Sequence, residues 1–209
     1  MDLSWSNDVI PLNKDEENAT VDKSGKNDEE VNSLDFLNCE EKAQIFAWSQ
    51  RSVGKVIFDY SATRLHGCSG RYFNAINSVK GFLIAILCGE YLFGVVVTKP
   101  VQIYGDCVAD SNCFVFVLRE NGIKKRRKFS IKEEDKEFAF TMGRHNSTKF
   151  FEVGKGDLKL YRKKTKNCLA CEYNGKSFEY GEKRVNVLGS ENRYGQIKVD
   201  RFVIFALEN

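Results

Sequence analysis

The sequence predicts a mainly β, α+β fold with flanking helices, arranged as a two-sheet β-sandwich. Three observations carry this expectation. Short apolar runs of strand length recur from residue 55 to residue 207, rich in the Val, Ile, Phe and Tyr that suit a pleated, half-buried surface. Asn-Gly pairs at 121–122 and 174–175 stand between such runs, and a type I′ hairpin turn needs positive φ at both central positions, which these residues tolerate. Only two prolines, Pro11 and Pro100, force breaks. Many short strands with few helices close most economically as two packed sheets.

Residues 1–33 form an acidic leader in which nine Asp and Glu stand against three Lys, a composition expected to stay disordered. Residues 34–209 are then one domain, long enough to bury a sizeable core. Since the whole chain carries +3, this domain is more basic than the total charge indicates. Leu34, Leu37, Ile45 and Trp48, flanked by Phe36, Ala43, Phe46 and Ala47, predict an amphipathic helix over 34–50 with Ser33 as its N-cap. Residues 55–60 read as a strand, 61–70 as a turn-rich connector around His66-Gly67, and 71–79 as a short helix carrying Tyr72, Phe73 and Ile76. Strands are then expected at 82–88, 91–97, 113–119, 127–131, 137–142, 149–153, 157–162, 168–172, 176–180 and 197–207.

Met1 is followed by Asp2 and an acidic run, without the basic flank and apolar core of an export signal, so a cytoplasmic protein is expected. The longest apolar stretches, 82–88 and 91–97, are divided by Gly89-Glu90 and fall far short of the roughly 20 residues of a membrane helix. No membrane insertion follows. Seven cysteines, an odd number, then favour free thiols over a disulfide framework.

Catalytic, cofactor-binding and metal-ligating residues are not indicated. Cys168 and Cys171 have CxxC spacing, but the chain has no second CxxC or paired histidines to complete a zinc site, and the pair sits in a strand-like stretch where a dithiol motif wants a strand-to-helix junction. Cys107 and Cys113, in a loop and at a strand start, are the candidates for oxidation. His66 and His145 stand in polar loops with no accompanying nucleophile motif. Gly154-Lys155-Gly156 precedes a strand, whereas a phosphate loop needs GxxxxGK followed by a hydroxyl residue and a helix. The strongest charge feature is Lys124, Lys125, Arg126, Arg127 and Lys128. It reads either as a solvated hairpin arm that resists edge-to-edge pairing or as a surface for anions, nucleic acid included, and it is also a candidate nuclear import signal.

Five segments, VIFDYSATRLHG, FLIAILCGEYLFGVVV, SNCFVFVL, FFEVGKGDLKLYR and NRYGQIKVDRFVIFALE, occur in the order seen in TLDc domains. Over about residues 50–208 the chain resembles a divergent TLDc domain of the small amoebozoan type, its most specific marks being Phe93, Gly94, Gly154, Gly156 and Glu208. It has His66-Gly67 where that family commonly has Asp-Gly, and Asn209 where the family has a Val-Trp pair. The resemblance implies a two-sheet sandwich with flanking helices, no established catalytic residues and no cofactor. It further implies a link to oxidative-stress resistance and a protein partner, the vacuolar proton-pumping ATPase. The alternative is a nucleic-acid-binding regulator that uses the arm at 124–128 and responds to oxidation through exposed thiols.

Overall fold

The computed structural model describes residues 36–61, 69–144, 147–163, 168–173, 175–181 and 197–209. The elements run α1 (Cys39–Ser49), β1 (Ser52–Ser61), α2 (Ser69–Asn77), β2 (Phe82–Cys88), β3 (Tyr91–Val97), β4 (Cys107–Val108), β5 (Phe114–Glu120) and β6 (Ile123–Ser130). A 3-10 helix, Glu133–Phe138, leads to β7 (Phe140–Met142), β8 (Lys149–Val153), β9 (Leu158–Lys163), β10 (Cys168–Tyr173), β11 (Ile197–Val199) and β12 (Arg201–Glu208). They pair antiparallel into two sheets, β1-β12-β2-β3-β5-β6 and β11-β10-β9-β8-β7-β4. This is the expected mainly β sandwich with a few helices.

Side-chain alternation explains the continuous apolar runs. In β2, Phe82, Ile84 and Ile86 point into the layer between the sheets while Leu83 and Ala85 point out. In β5, Val115 and Val117 face the second sheet and Phe114, Phe116 and Leu118 face away from it. Both faces of these strands are buried, so both sets of positions are apolar. The inner layer is dense in aromatic rings: Phe202 lies 5.3 Å from Tyr60, 5.6 Å from Phe58 and 5.7 Å from Phe150 between ring centroids. Helix α2 closes this layer with Tyr72 and Ile76, four residues apart on one face. The outer layer is closed by Phe36 and Leu37 and, from α1, Ile45 and the half-buried Trp48, whose ring meets Phe114 edge-on at 6.2 Å.

Four expectations need correction. Helix α1 starts at Cys39 because Asn38, not Ser33, is its cap. The Asn38 side chain accepts from the Glu41 amide at 2.9 Å, and the Glu41 carboxylate accepts from the Asn38 amide at 3.0 Å, satisfying two orphan donors at that point. Leu37 is buried ahead of the helix, not on it. Over 137–142 only Phe140–Met142 is strand, the preceding residues belonging to the 3-10 helix. Segment 176–180 forms a single bridge, Phe178 to Ile131, because the amides of Lys176 and Ser177 are taken by the Asp157 carboxylate instead of a ladder. The strand expected at 197–207 divides at Asp200, where the chain crosses between sheets; Asp200 donates its amide to the Leu87 carbonyl at 2.9 Å, and its carboxylate accepts from the Gly89 amide at 2.6 Å.

The turn at Asn121-Gly122 has φ of 53° and 71°, as a type I′ hairpin requires. The leader, the His66-Gly67 connector, His145 and Asn174 lie outside the described residues. Among the described residues no helix is long and apolar enough to cross a membrane.

Candidate functional site

The basic run forms the edge strand of the first sheet. The Asn121-Gly122 turn sends the chain back along β5, and β6 has no strand neighbour on its far side among the described residues. At its end this edge is covered: Glu179 donates its amide to the Ser130 carbonyl and Lys132 donates to the Ser177 carbonyl, both at 2.9 Å. The stretch left open is the cationic one. A register shift opposite Val117 and Arg119 places a bulge in the pairing there, which together with like charge blocks the edge against a second copy of itself.

The five cations are not equivalent. Lys124 Nζ lies 2.5 Å and Arg126 Nη2 3.0 Å from the same Glu40 oxygen in the first turn of α1. The hydrogen bond and charge of Lys124 hold the Glu40 carboxyl below its ordinary value, with Arg126 adding to the effect. Lys128 donates to the Trp48 carbonyl at 3.1 Å and sits 4.6 Å from the Phe114 ring centroid. Arg127 pairs with Glu120 at 2.8 Å. Lys125 is exposed without an ion-pair partner among the described residues. On the neighbouring strand β5, paired with Lys124, Arg119 Nε binds the buried Glu41 at 2.7 Å and its Nη2 donates to the Phe36 carbonyl at 3.2 Å. Helix α1 is therefore tied to the β5–β6 hairpin by a row of charged contacts.

The other sequence-marked positions lie elsewhere. Phe93 is fully buried between the sheets. Gly94 is obligatory: a Cβ there would sit 1.9 Å from the Ile84 carbonyl oxygen and 2.7 Å from the Phe116 ring. Glu208 lies at the β1 side of the sheet, away from β6 in strand order, with its carboxylate over the backbone of Gly54. Gly154 and Gly156, with φ of 61° and 88°, shape the β8–β9 turn that presents Asp157. These residues are not gathered with the arm.

The buried carboxylates Asp110 and Asp157 were not anticipated, and both are anchored to main chain, whereas the buried Glu41 and Asp135 pair with Arg119 and Lys155. Asp157 accepts from the amides of Lys176 at 2.7 Å and Ser177 at 2.9 Å and from the Tyr180 hydroxyl at 3.1 Å. Asp110 accepts from the Thr98 amide at 2.6 Å, the Thr98 hydroxyl at 2.8 Å and the Asn112 amide at 3.0 Å. Their lone pairs are committed to holding loops.

Of the thiols, Cys39 and Cys107 are exposed, and Cys88, Cys113 and Cys171 are buried. Cys113 is thus not the oxidation-accessible residue its loop position suggests: the strand start is inside the sandwich, and burial pushes its thiol well above the ordinary value, with Asp110 adding to it. Burial also pushes Cys88 up, followed by the charges of Cys171 and Asp200. Cys107 lines a surface cavity of about 300 Å³ with Lys99, Ile103 and Asp106, its Sγ 3.2 Å from the Thr141 hydroxyl. Cys168 and Cys171 share one strand, β10, and not a strand-to-helix junction. Among the described residues no group of three or more His, Cys, Asp or Glu could hold a metal ion. No protein-family model and no curated protein matches this chain.

Proposed function

We propose that this chain is a non-enzymatic interaction module of the TLDc type that acts by binding another protein, with subunits of the vacuolar proton-pumping ATPase as the partner and oxidative-stress resistance as the setting. The order of the five sequence segments supports the family, and a two-sheet sandwich with flanking helices agrees with what that family implies. One observation carries the interaction role: five consecutive cations are displayed on an edge strand whose far side no other strand covers among the described residues. Affinity capture with the intact chain, from resting and peroxide-treated cell extract, tests it. Pump subunits enriched by the chain and lost on reversal of Lys125 and Lys128 to Glu support this partner. Recovery no greater than that of a scrambled-surface control overturns it.

The nucleic-acid reading retains one favourable observation, since Lys125 and Lys128 have no carboxylate partner among the described residues. Phosphate binding falls steeply with salt through counterion release, so DNA affinity that drops by orders of magnitude between low and physiological salt would favour that reading.

A further inference from the structure

We infer that the β6 edge is the seat of an acidic segment of a partner protein, and that Glu40 of α1 occupies part of that seat in the free chain. This rests on the interaction-module reading and names the chemistry of its partner.

Carboxylates and a carbonyl are the groups that already bind the arm: Glu40 bridges Lys124 and Arg126, Glu120 holds Arg127, and the Trp48 carbonyl takes Lys128. Of the arm's cations, those without a carboxylate partner among the described residues are Lys125 and Lys128. The pairing of β6 is irregular between Lys124 and Arg127, so what this edge offers a partner is concentrated positive charge and not a regular strand register. Exposed apolar side chains stand on β6 and α1, Ile123 64 % exposed at the hairpin tip and Phe46 49 % exposed on the helix that carries Glu40. A segment mixing acidic and apolar residues would use both features.

Nucleic acid is less well served. Single strands are gripped by several aromatic platforms interleaved with cations, whereas Phe129 on β6 and Phe114 under Lys128 are buried in the two core layers, and the exposed ring Phe46 stands on α1 and not among the cations of the strand. A second copy of β6 is rejected by like charge and by the bulge. An acidic polypeptide is the complementary occupant.

Displacement of Glu40 follows from the geometry. Its carboxylate is exposed and shared between two cations, so an incoming carboxylate competes for Lys124 and Arg126 without first opening the core.

The test is fluorescence anisotropy of a labelled twelve-residue peptide of alternating Glu and Val against the intact chain, beside its Gln-Val counterpart and a dT20 oligonucleotide. The Glu-Val peptide is expected to bind in preference to both controls. Glu40→Gln is expected to tighten it about twofold to threefold by freeing two cations, and Lys125→Glu with Lys128→Glu to weaken it about tenfold or more. A cooperative unfolding transition in each variant establishes that it is folded. Equal binding of the Gln-Val peptide, stronger binding of dT20, or failure of Glu40→Gln to tighten the complex each overturns the inference. Capture of pump subunits by a chain that ignores the Glu-Val peptide would sink this seat and leave the module reading standing; peptide binding without capture of the pump would do the reverse for that partner.

Discussion

On the inner face of the sheet β1-β12-β2-β3-β5-β6, Phe202 is surrounded by Phe58, Tyr60 and Phe150 from neighbouring strands and the opposite sheet. On the outer face of the same strands the cover among the described residues is one eleven-residue helix and the two residues before its cap, held by Glu40 and Glu41 to Lys124, Arg126 and Arg119. The inner closure is made of buried apolar and aromatic side chains, whose contacts salt does not screen. The outer closure joins a modest apolar contact to charges that water and salt can reach. Burial energy scales with apolar area removed from water, while exposed ion pairs contribute little and are screened, so one sheet has a permanent face and a conditional one.

The largest expected effect lies inside. Phe202→Ala should cost about 3–5 kcal/mol in chemical denaturation, because a fully buried ring is lost and its neighbours cannot collapse into the space. A loss below about 1 kcal/mol would show that the inner layer is looser than its ring geometry implies. Next comes Asp157→Ala, which removes the acceptor of the Lys176 and Ser177 amides and should cost about 2–4 kcal/mol while leaving the outer face intact.

Smaller again is Glu41→Ala, which cuts both the capping box and the Arg119 pair and should cost about 1–2 kcal/mol. Hydrogen exchange should show the loosening concentrated in α1; uniform loosening would erase the distinction between the faces. Glu40→Gln should have the smallest effect on the unfolding midpoint. Since the folded carboxyl titrates below 4.5, its contribution is present above that pH and lost as the pH falls below it. The difference between wild type and variant should therefore vanish in acid and shrink in high salt, and a difference persisting in both would count against an ionic origin.

Much of this architecture was legible in the chain. The runs FLIAILC and YLFGVVV mark β2 and β3 to the residue because Gly89-Glu90 punctuates them, and Asn121-Gly122 announces its turn through positive φ. Less legible was everything set by long separation. Glu40 and Arg126 are 86 positions apart, so a basic run that looks free in sequence is partly engaged in the fold. The cap at Asn38 did carry a local signal, the Asn-x-x-Glu of a capping box, which the wider apolar spacing from Leu34 obscured. Segment 176–180 looked like a strand because its fate is decided by Asp157, about twenty residues earlier. Cys113 looked accessible because its strand closes against Ala139 only in three dimensions.

The position of β12 between β1 and β2 bears on synthesis. Until residues 201–208 have emerged from the ribosome, β1 has no partner and β2 offers a bare, strongly apolar rim. The nascent β2-β3-β5-β6 meander is thus a half-finished template on which a foreign strand could register, and the arrival of Arg201–Glu208 both joins β1 to the sheet and ends that period of exposure.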